Sequence, residues 1–125
     1  VIAEQFADVM ARFKGATLER LPCGAALITV PNFPLPPGWS RAESNIRFLA
    51  PEKYPFANPD CFWADGDLRL ANGGEPRNSA LNPIPETSLG KLRWFSWHVR
   101  TNWNPSRDTL LSWMASITER FWNAT

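Results

Sequence analysis

The sequence predicts an α+β fold in which helices pack on one meandering antiparallel sheet. Three observations carry that prediction. One amphipathic segment opens the chain, another closes it, and between them lie short apolar runs of period two, punctuated by proline and glycine. The 125 residues suffice for one compact unit with one core, so residues 1–125 are expected to form a single domain.

Ile2, Phe6, Val9, Met10 and Phe13 recur at helical spacing, while Glu4, Asp8 and Arg12 fall on the other side and Gly15 supplies a stop. From Thr17 the period changes. Thr17 to Leu21 and Ala25 to Val30 read as strands, separated by a turn or bulge at Pro22, Cys23 and Gly24. Four prolines and a glycine between Pro31 and Trp39 predict a loop with little hydrogen bonding of its own. Ile46, Phe48 and Ala50 alternate with Asn45, Arg47 and Leu49 in a third strand, which Pro51 closes. Cys61 to Ala64 reads as a short fourth strand, with alternation placing Cys61 in the core. The stretch from Ala71 to Lys91, rich in Gly, Pro, Asn and Ser, reads as a long irregular loop, and loops of that length in compact domains are more often functional than idle. Leu92 to Val99 reads as a strand or as an extended piece over the core. A closing helix is expected to start with Asn104 as cap and Pro105 in its first turn, and to bury Leu110, Leu111, Met114, Ile117, Phe121 and Trp122. The expected sheet is therefore a four-stranded antiparallel meander.

Composition removes several function classes. With 13 basic and 12 acidic side chains the net charge is +1, too small for the electrostatic footprint of a nucleic-acid binder. Trp94, Trp97 and Trp103 could form a stacking platform for a single strand, but weak phosphate attraction argues against it. No run approaches the about 20 apolar residues that span a bilayer, and Val1 to Gly15 lacks the pattern of an export signal. A cytoplasmic, membrane-free protein is expected. Cys23, Cys61 and His98 are the only Cys and His side chains, too few for a four-ligand Cys/His zinc centre. Asp60, Asp65 and Asp67 read as acids of a solvated turn rather than as ligands for a hard cation. Neither a metal nor a cofactor is expected.

From Ile46 to Trp122, the text Arg47-Phe48-Leu49-Ala50-Pro51, Tyr54-Pro55-Phe56 and Pro59 resembles the strand, Tyr-Pro dipeptide and following proline of the ubiquitin-conjugating enzyme superfamily. Trp103-Asn104-Pro105 and the helix to Trp122 match the Trp-x-Pro turn and helix that follow its active-site loop. The Pro34 to Gly38 text, the Pro59-Asp60 pair and Trp94-Phe95-Ser96-Trp97-His98 look like a bacterial branch. The resemblance implies a ubiquitin-conjugating-type fold, with an N-terminal helix, the four-stranded meander, a long active-site-type loop and a C-terminal helix. It also implies a component of a bacterial ubiquitin-like protein conjugation system. Such a component binds a ubiquitin-like protein and its adenylating, activating enzyme and assists transfer of the modifier. Two departures qualify the activity. The family's cysteine would fall near Phe95 or Ser96, where this chain has none, and the family's His-Pro-Asn motif is replaced by Leu70-Ala71-Asn72. A catalytically inactive variant acting as a binding scaffold is therefore the alternative, and a peptide-binding module of proline and tryptophan loops is a third reading.

The candidate site residues are His98, Ser96 and Asn72. On an extended strand Ser96 and His98, two residues apart, would share a face. Ser96 could then accept an acyl group as an oxyester with His98 as base. Alternatively His98 hydrogen-bonds a carbonyl of the long loop, or it acts without Ser96 on an incoming lysine or a modifier tail. By resemblance Asn72 stabilises the loop or a developing oxyanion; before two glycines it is equally a turn residue. Cys61, and less so Cys23, is a second choice of nucleophile, a core position making Cys61 inert.

Overall fold

In the computed structural model, which describes residues 1–125, helix α1 (Ile2–Arg12) precedes six strands and helix α2 (Leu110–Phe121) follows them. The strands are β1 (Thr17–Arg20), β2 (Ala26–Pro34), β3 (Glu43–Ala50), β4 (Phe62–Ala64), β5 (Ser79–Pro83) and β6 (Lys91–Phe95). They form one antiparallel sheet in the order β1-β2-β3-β4-β6-β5. The α+β class is as expected; the four-stranded meander is not, because a hairpin of β5 and β6 extends the sheet beyond β4. The stretch read as irregular from Ala71 to Lys91 thus contains a strand. Ser-Ala-Leu-Asn-Pro carries no apolar alternation, and β5 is a largely exposed edge strand whose terminal proline sits where an edge tolerates it. Its partner β6 organises it, pairing Ser79 with Phe95 and Pro83 with Lys91.

Strand β2 also runs further than its prolines suggest. Its register against β3 shifts between Val30 and Phe33, a bulge that leaves Pro31 no ladder bond to donate. Asn32 adopts a left-handed φ of 55° there, and its N–H donates to the Asn45 side chain at 3.3 Å.

Alternation sorts the apolar side chains onto two faces. Ala26, Ile28 and Val30 of β2, Ile46, Phe48 and Ala50 of β3, Phe62 and Ala64 of β4 and Phe95 of β6 meet the helices in the main core. Leu27, Trp63 and Leu92 point the other way and join Leu21 and Ile84 in a smaller cluster. From α1, Val9 is buried and Ile2 and Phe6 pack at the margin, with Phe13 just beyond the helix end, whereas Met10 is 45% exposed, so the helix seats a narrower stripe than its sequence predicts.

Helix α2 begins later than expected. Thr109, not Asn104, is its cap, and a reciprocal capping box joins the Thr109 and Ser112 side chains to each other's backbone N–H groups. Asn104 instead organises a separate turn, in which the Asp108 N–H donates to the Asn104 carbonyl at 2.7 Å and the Asn104 N–H donates to the Asp108 carboxylate at 2.8 Å. Leu110, Trp113, Met114, Ile117 and Phe121 form the buried stripe. Trp122 lies about 100° around the helix from Phe121 and is 70% exposed, and Leu111 is only half-buried, so neither joins the stripe as expected, whereas Trp113 does. No helix is long and apolar enough to cross a membrane.

Candidate functional site

The pairing of β4 with β6 builds the site. Phe62 lies opposite Phe95, the two rings stacking at 4.9 Å between centroids, and both are sealed in the core beneath α2. That register brings the segment entering β4, Asp60-Cys61, beside the segment leaving β6, Ser96-Trp97-His98. The Cys61 N–H donates to the Trp97 carbonyl at 2.8 Å, and the Ser96 N–H donates to the Asn78 carbonyl at 2.8 Å. The Trp97 indole donates to the Ser116 carbonyl of α2 at 2.9 Å, so a rigid element holds the strand exit.

On this frame three side chains meet in a row. His98 Nδ1 lies 2.5 Å from Asp60 Oδ1, and His98 Nε2 lies 3.5 Å from Ser96 Oγ. A carboxylate oxygen offers only lone pairs, so Nδ1 carries the hydrogen, and in the neutral form of the imidazole Nε2 is then the acceptor that faces the serine hydroxyl. The expected convergence of Ser96 and His98 is present, although β6 ends at Phe95 and the residues from Ser96 to Val99 have left the sheet. Of the readings left open for His98, the loop-carbonyl contact is replaced by the Asp60 carboxylate. Asp60 and His98 are exposed and Ser96 is half-buried, so the row is open to a macromolecular partner. Phe95 is fully buried, whereas Ser96, the next residue, presents its side chain beside the imidazole.

Cys61 is not a core residue. It is half-buried, and its φ of 60° places it in the left-handed region, at a cost of order 1 kcal/mol for a residue with a side chain. This backbone departs from the strand conformation on which alternation relies, which is why the expected burial fails. The Cys61 sulfur, a His98 ring nitrogen and an Asp60 oxygen all lie within 4.8 Å of one another. Burial raises the thiol pKa above its usual value and the Asp60 charge adds to the rise, opposed by hydrogen bonds from the Trp97 backbone and the Trp94 side chain. Cys23 is exposed on the β1–β2 turn, its N–H donating to the Glu86 side chain at 3.1 Å.

Asn72 makes no hydrogen bond to this row. Its Oδ1 accepts from the Gly74 N–H at 2.8 Å, an Asx turn, while the Gly73 N–H donates to the Leu70 carbonyl. Asp65 and Asp67 serve an ion pair: Arg41 Nη1 lies 3.1 Å from Asp65 and 2.9 Å from Asp67, and the Asn45 N–H also donates to Asp65. Trp103 braces the Tyr-Pro turn, its indole donating to the Pro55 carbonyl at 2.7 Å and packing against Tyr54. Asp60 as the partner of His98 is the contact at this candidate site that periodicity and spacing do not predict. Its local signals are the Pro59-Asp60 pair and its place two residues before β4.

A helix, an antiparallel sheet and a closing helix in this order are consistent with the ubiquitin-conjugating fold. The chain belongs to the Prokaryotic E2 family E, whose family model matches residues 9–124. Membership makes it an E2-like protein of the prokaryotic type and implies, in general terms, a ubiquitin-like modifier and an activating enzyme as partners. No curated protein and no solved structure matches the chain.

Proposed function

We propose that this single-domain protein works in a bacterial ubiquitin-like conjugation system as the E2-like component, and that it transfers the modifier without a cysteine at the usual position. The observation that carries this reading is the Asp60–His98–Ser96 row, a nucleophile, base and orienting acid in hydrogen-bonding order. The partners are the ubiquitin-like protein and the adenylating enzyme that activates it. The free thiols of Cys23 and Cys61 suit a reducing compartment such as the cytoplasm.

The chemistry is acyl transfer. Ser96 Oγ attacks the activated carbonyl at the modifier's C-terminus as His98 Nε2 takes the hydroxyl proton, and a new C–O bond forms. The bond from that carbonyl to the activating enzyme's leaving group breaks, and the imidazolium returns the proton to the departing atom. An acceptor amine then attacks the ester, the C–O bond breaks and Ser96 regains a proton. Asp60 keeps the ring oriented and stabilises the imidazolium in both halves. The Oγ···Nε2 separation of 3.5 Å is long for a hydrogen bond, as catalytic contacts in free enzymes commonly are before substrate tightens them. Asn72 shapes the Leu70 to Gly74 turn, which we assign to holding the modifier tail. The absence of cysteine at positions 95 and 96 supports a second reading, a catalytically inactive scaffold that binds modifier and activating enzyme.

The deciding experiment mixes the protein with its activating enzyme, the ubiquitin-like protein and ATP and measures intact mass. A covalent adduct that is stable to thiol, labile to mild base and lost in Ser96→Ala identifies the oxyester. Binding of all three proteins without any adduct selects the scaffold.

A further inference from the structure

The chain has one histidine and two cysteines, and the fold brings that histidine and Cys61, 37 residues apart in sequence, into one cluster with Asp60. Imidazole, thiol and carboxylate are together the donor set of borderline divalent transition metals, and three protein ligands with an open fourth position make a reactive rather than a sealed centre. We propose that Asp60, Cys61 and His98 form a three-ligand site for a divalent transition metal of the zinc type.

The geometry is close to what such an ion needs. Tetrahedral zinc holds nitrogen, oxygen and sulfur ligands about 3.3–3.6 Å apart, as its bond lengths require. Here His98 Nδ1 and Asp60 Oδ1 stand at 2.5 Å, bridged by a proton, and the Cys61 sulfur lies within 4.8 Å of an Asp60 oxygen and of a His98 ring nitrogen. Entry of the ion therefore opens the Asp60–His98 pair by about 0.8–1 Å and draws the sulfur in by at most about 1.5 Å, movements within reach of side-chain rotation at three surface-accessible residues. The backbone favours it as well. The left-handed turn at Cys61 and its N–H bond to the Trp97 carbonyl fix the thiol on the side of the sheet exit where His98 projects.

Binding moves protons in a defined way. The ion replaces the hydrogen on Nδ1 and takes Cys61 as thiolate. The imidazole acquires a hydrogen on Nε2 in place of the one lost from Nδ1, so the net release is the thiol proton, one per ion bound. The consequence rests on His98 being the base in the reading above: with Nε2 protonated, the ring donates toward Ser96 and no longer accepts its proton. Metal occupancy is then an off state of the transfer site.

Cobalt(II) titration of the tag-free, reduced chain tests the site independently of any transfer activity. We expect one ion per chain and a near-ultraviolet sulfur-to-cobalt charge-transfer band, both displaced by zinc. Cys61→Ser and Cys61→Ala should abolish the band, and His98→Ala and Asp60→Ala should weaken cobalt affinity by about tenfold or more. Cys23→Ser should change neither, and circular dichroism should show all variants folded. A band that survives loss of Cys61 or depends on Cys23, or a chain that binds no cobalt, overturns the proposal. The outcome is separable from the oxyester question: cobalt binding with no modifier adduct leaves the metal site standing, and an adduct without cobalt binding removes the metal site alone.

Discussion

At the scale of single residues, the contact between Asp60 and His98 decides what the site can do. It selects the tautomer whose free lone pair faces Ser96, and replacement of the carboxylate by an amide of the same shape removes that selection. Asp60→Asn is therefore expected to slow modifier transfer by about 10²-fold or more. His98→Ala should abolish transfer. Because both residues are exposed, each change should move the unfolding free energy by no more than about 0.5 kcal/mol. Single-turnover transfer measured beside urea denaturation checks the pair, and a large loss of stability would assign the contact to structure instead. A different residue governs the alkaline limit. The Tyr54 hydroxyl donates to Gln5, whose side-chain oxygen also accepts the Leu110 N–H, and burial, with Asp108 nearby, pushes the phenol above its ordinary range. A pKa raised on folding contributes stability that is fully present below the unfolded value near pH 10 and is lost as pH rises beyond it. Melting temperatures should thus fall more steeply above about pH 10 in the wild type than in Tyr54→Phe, whose curve should be flatter there.

At the scale of elements, helix α2 depends on a start signal that lies inside an unpromising stretch. Thr109 and Ser112 satisfy each other's backbone donors, and Thr109→Ala should lower stability by about 1 kcal/mol in equilibrium denaturation, with Asn104→Ala costing the helix itself nothing. That contrast also shows what the sequence makes legible. Periodicity revealed both helices and the first four strands, because each carries its apolar pattern locally. The cap is not legible because Asn104-Pro105 has the composition of a helix start but is engaged in its own turn with Asp108. Strand β5 has no local signature because nothing in Ser79 to Pro83 alternates; its conformation comes from pairing with β6. The site was half legible for the same reason. Ser96 and His98 are neighbours in sequence and their meeting follows from spacing, whereas Asp60 and Cys61 reach them only through the register of Phe62 on Phe95, a long-range fact.

At the scale of the whole molecule, the site stands on an aromatic stack that joins sheet to helix. Phe62 stacks on Phe95, both meet Phe121 edge-on, and Trp39 packs against Phe95 and Phe121 while its indole donates to the Phe121 carbonyl at 2.8 Å. The buried Arg120 guanidinium lies over the Trp39 and Phe95 rings and donates to the carbonyls of Arg77, Asn123 and Thr125, binding the end of α2 to the segment before β5. Truncating one ring of this stack removes contacts on every layer at once. Phe62→Ala is expected to cost about 3–5 kcal/mol, a large share of the roughly 5–15 kcal/mol that holds a domain of this size. Leu92→Ala, in the smaller cluster on the opposite face and 8% exposed, should fall at or below the low end of the about 2–5 kcal/mol that such truncations cost. If the two clusters belong to one cooperative unit, tryptophan fluorescence and far-ultraviolet circular dichroism will report coincident urea transitions in the wild type and in both variants. Transitions that separate in Leu92→Ala alone would show that the β5–β6 hairpin opens independently. The exit of β6, and with it the spacing of Ser96 and His98 from Asp60, would then be set by that local equilibrium rather than by the core.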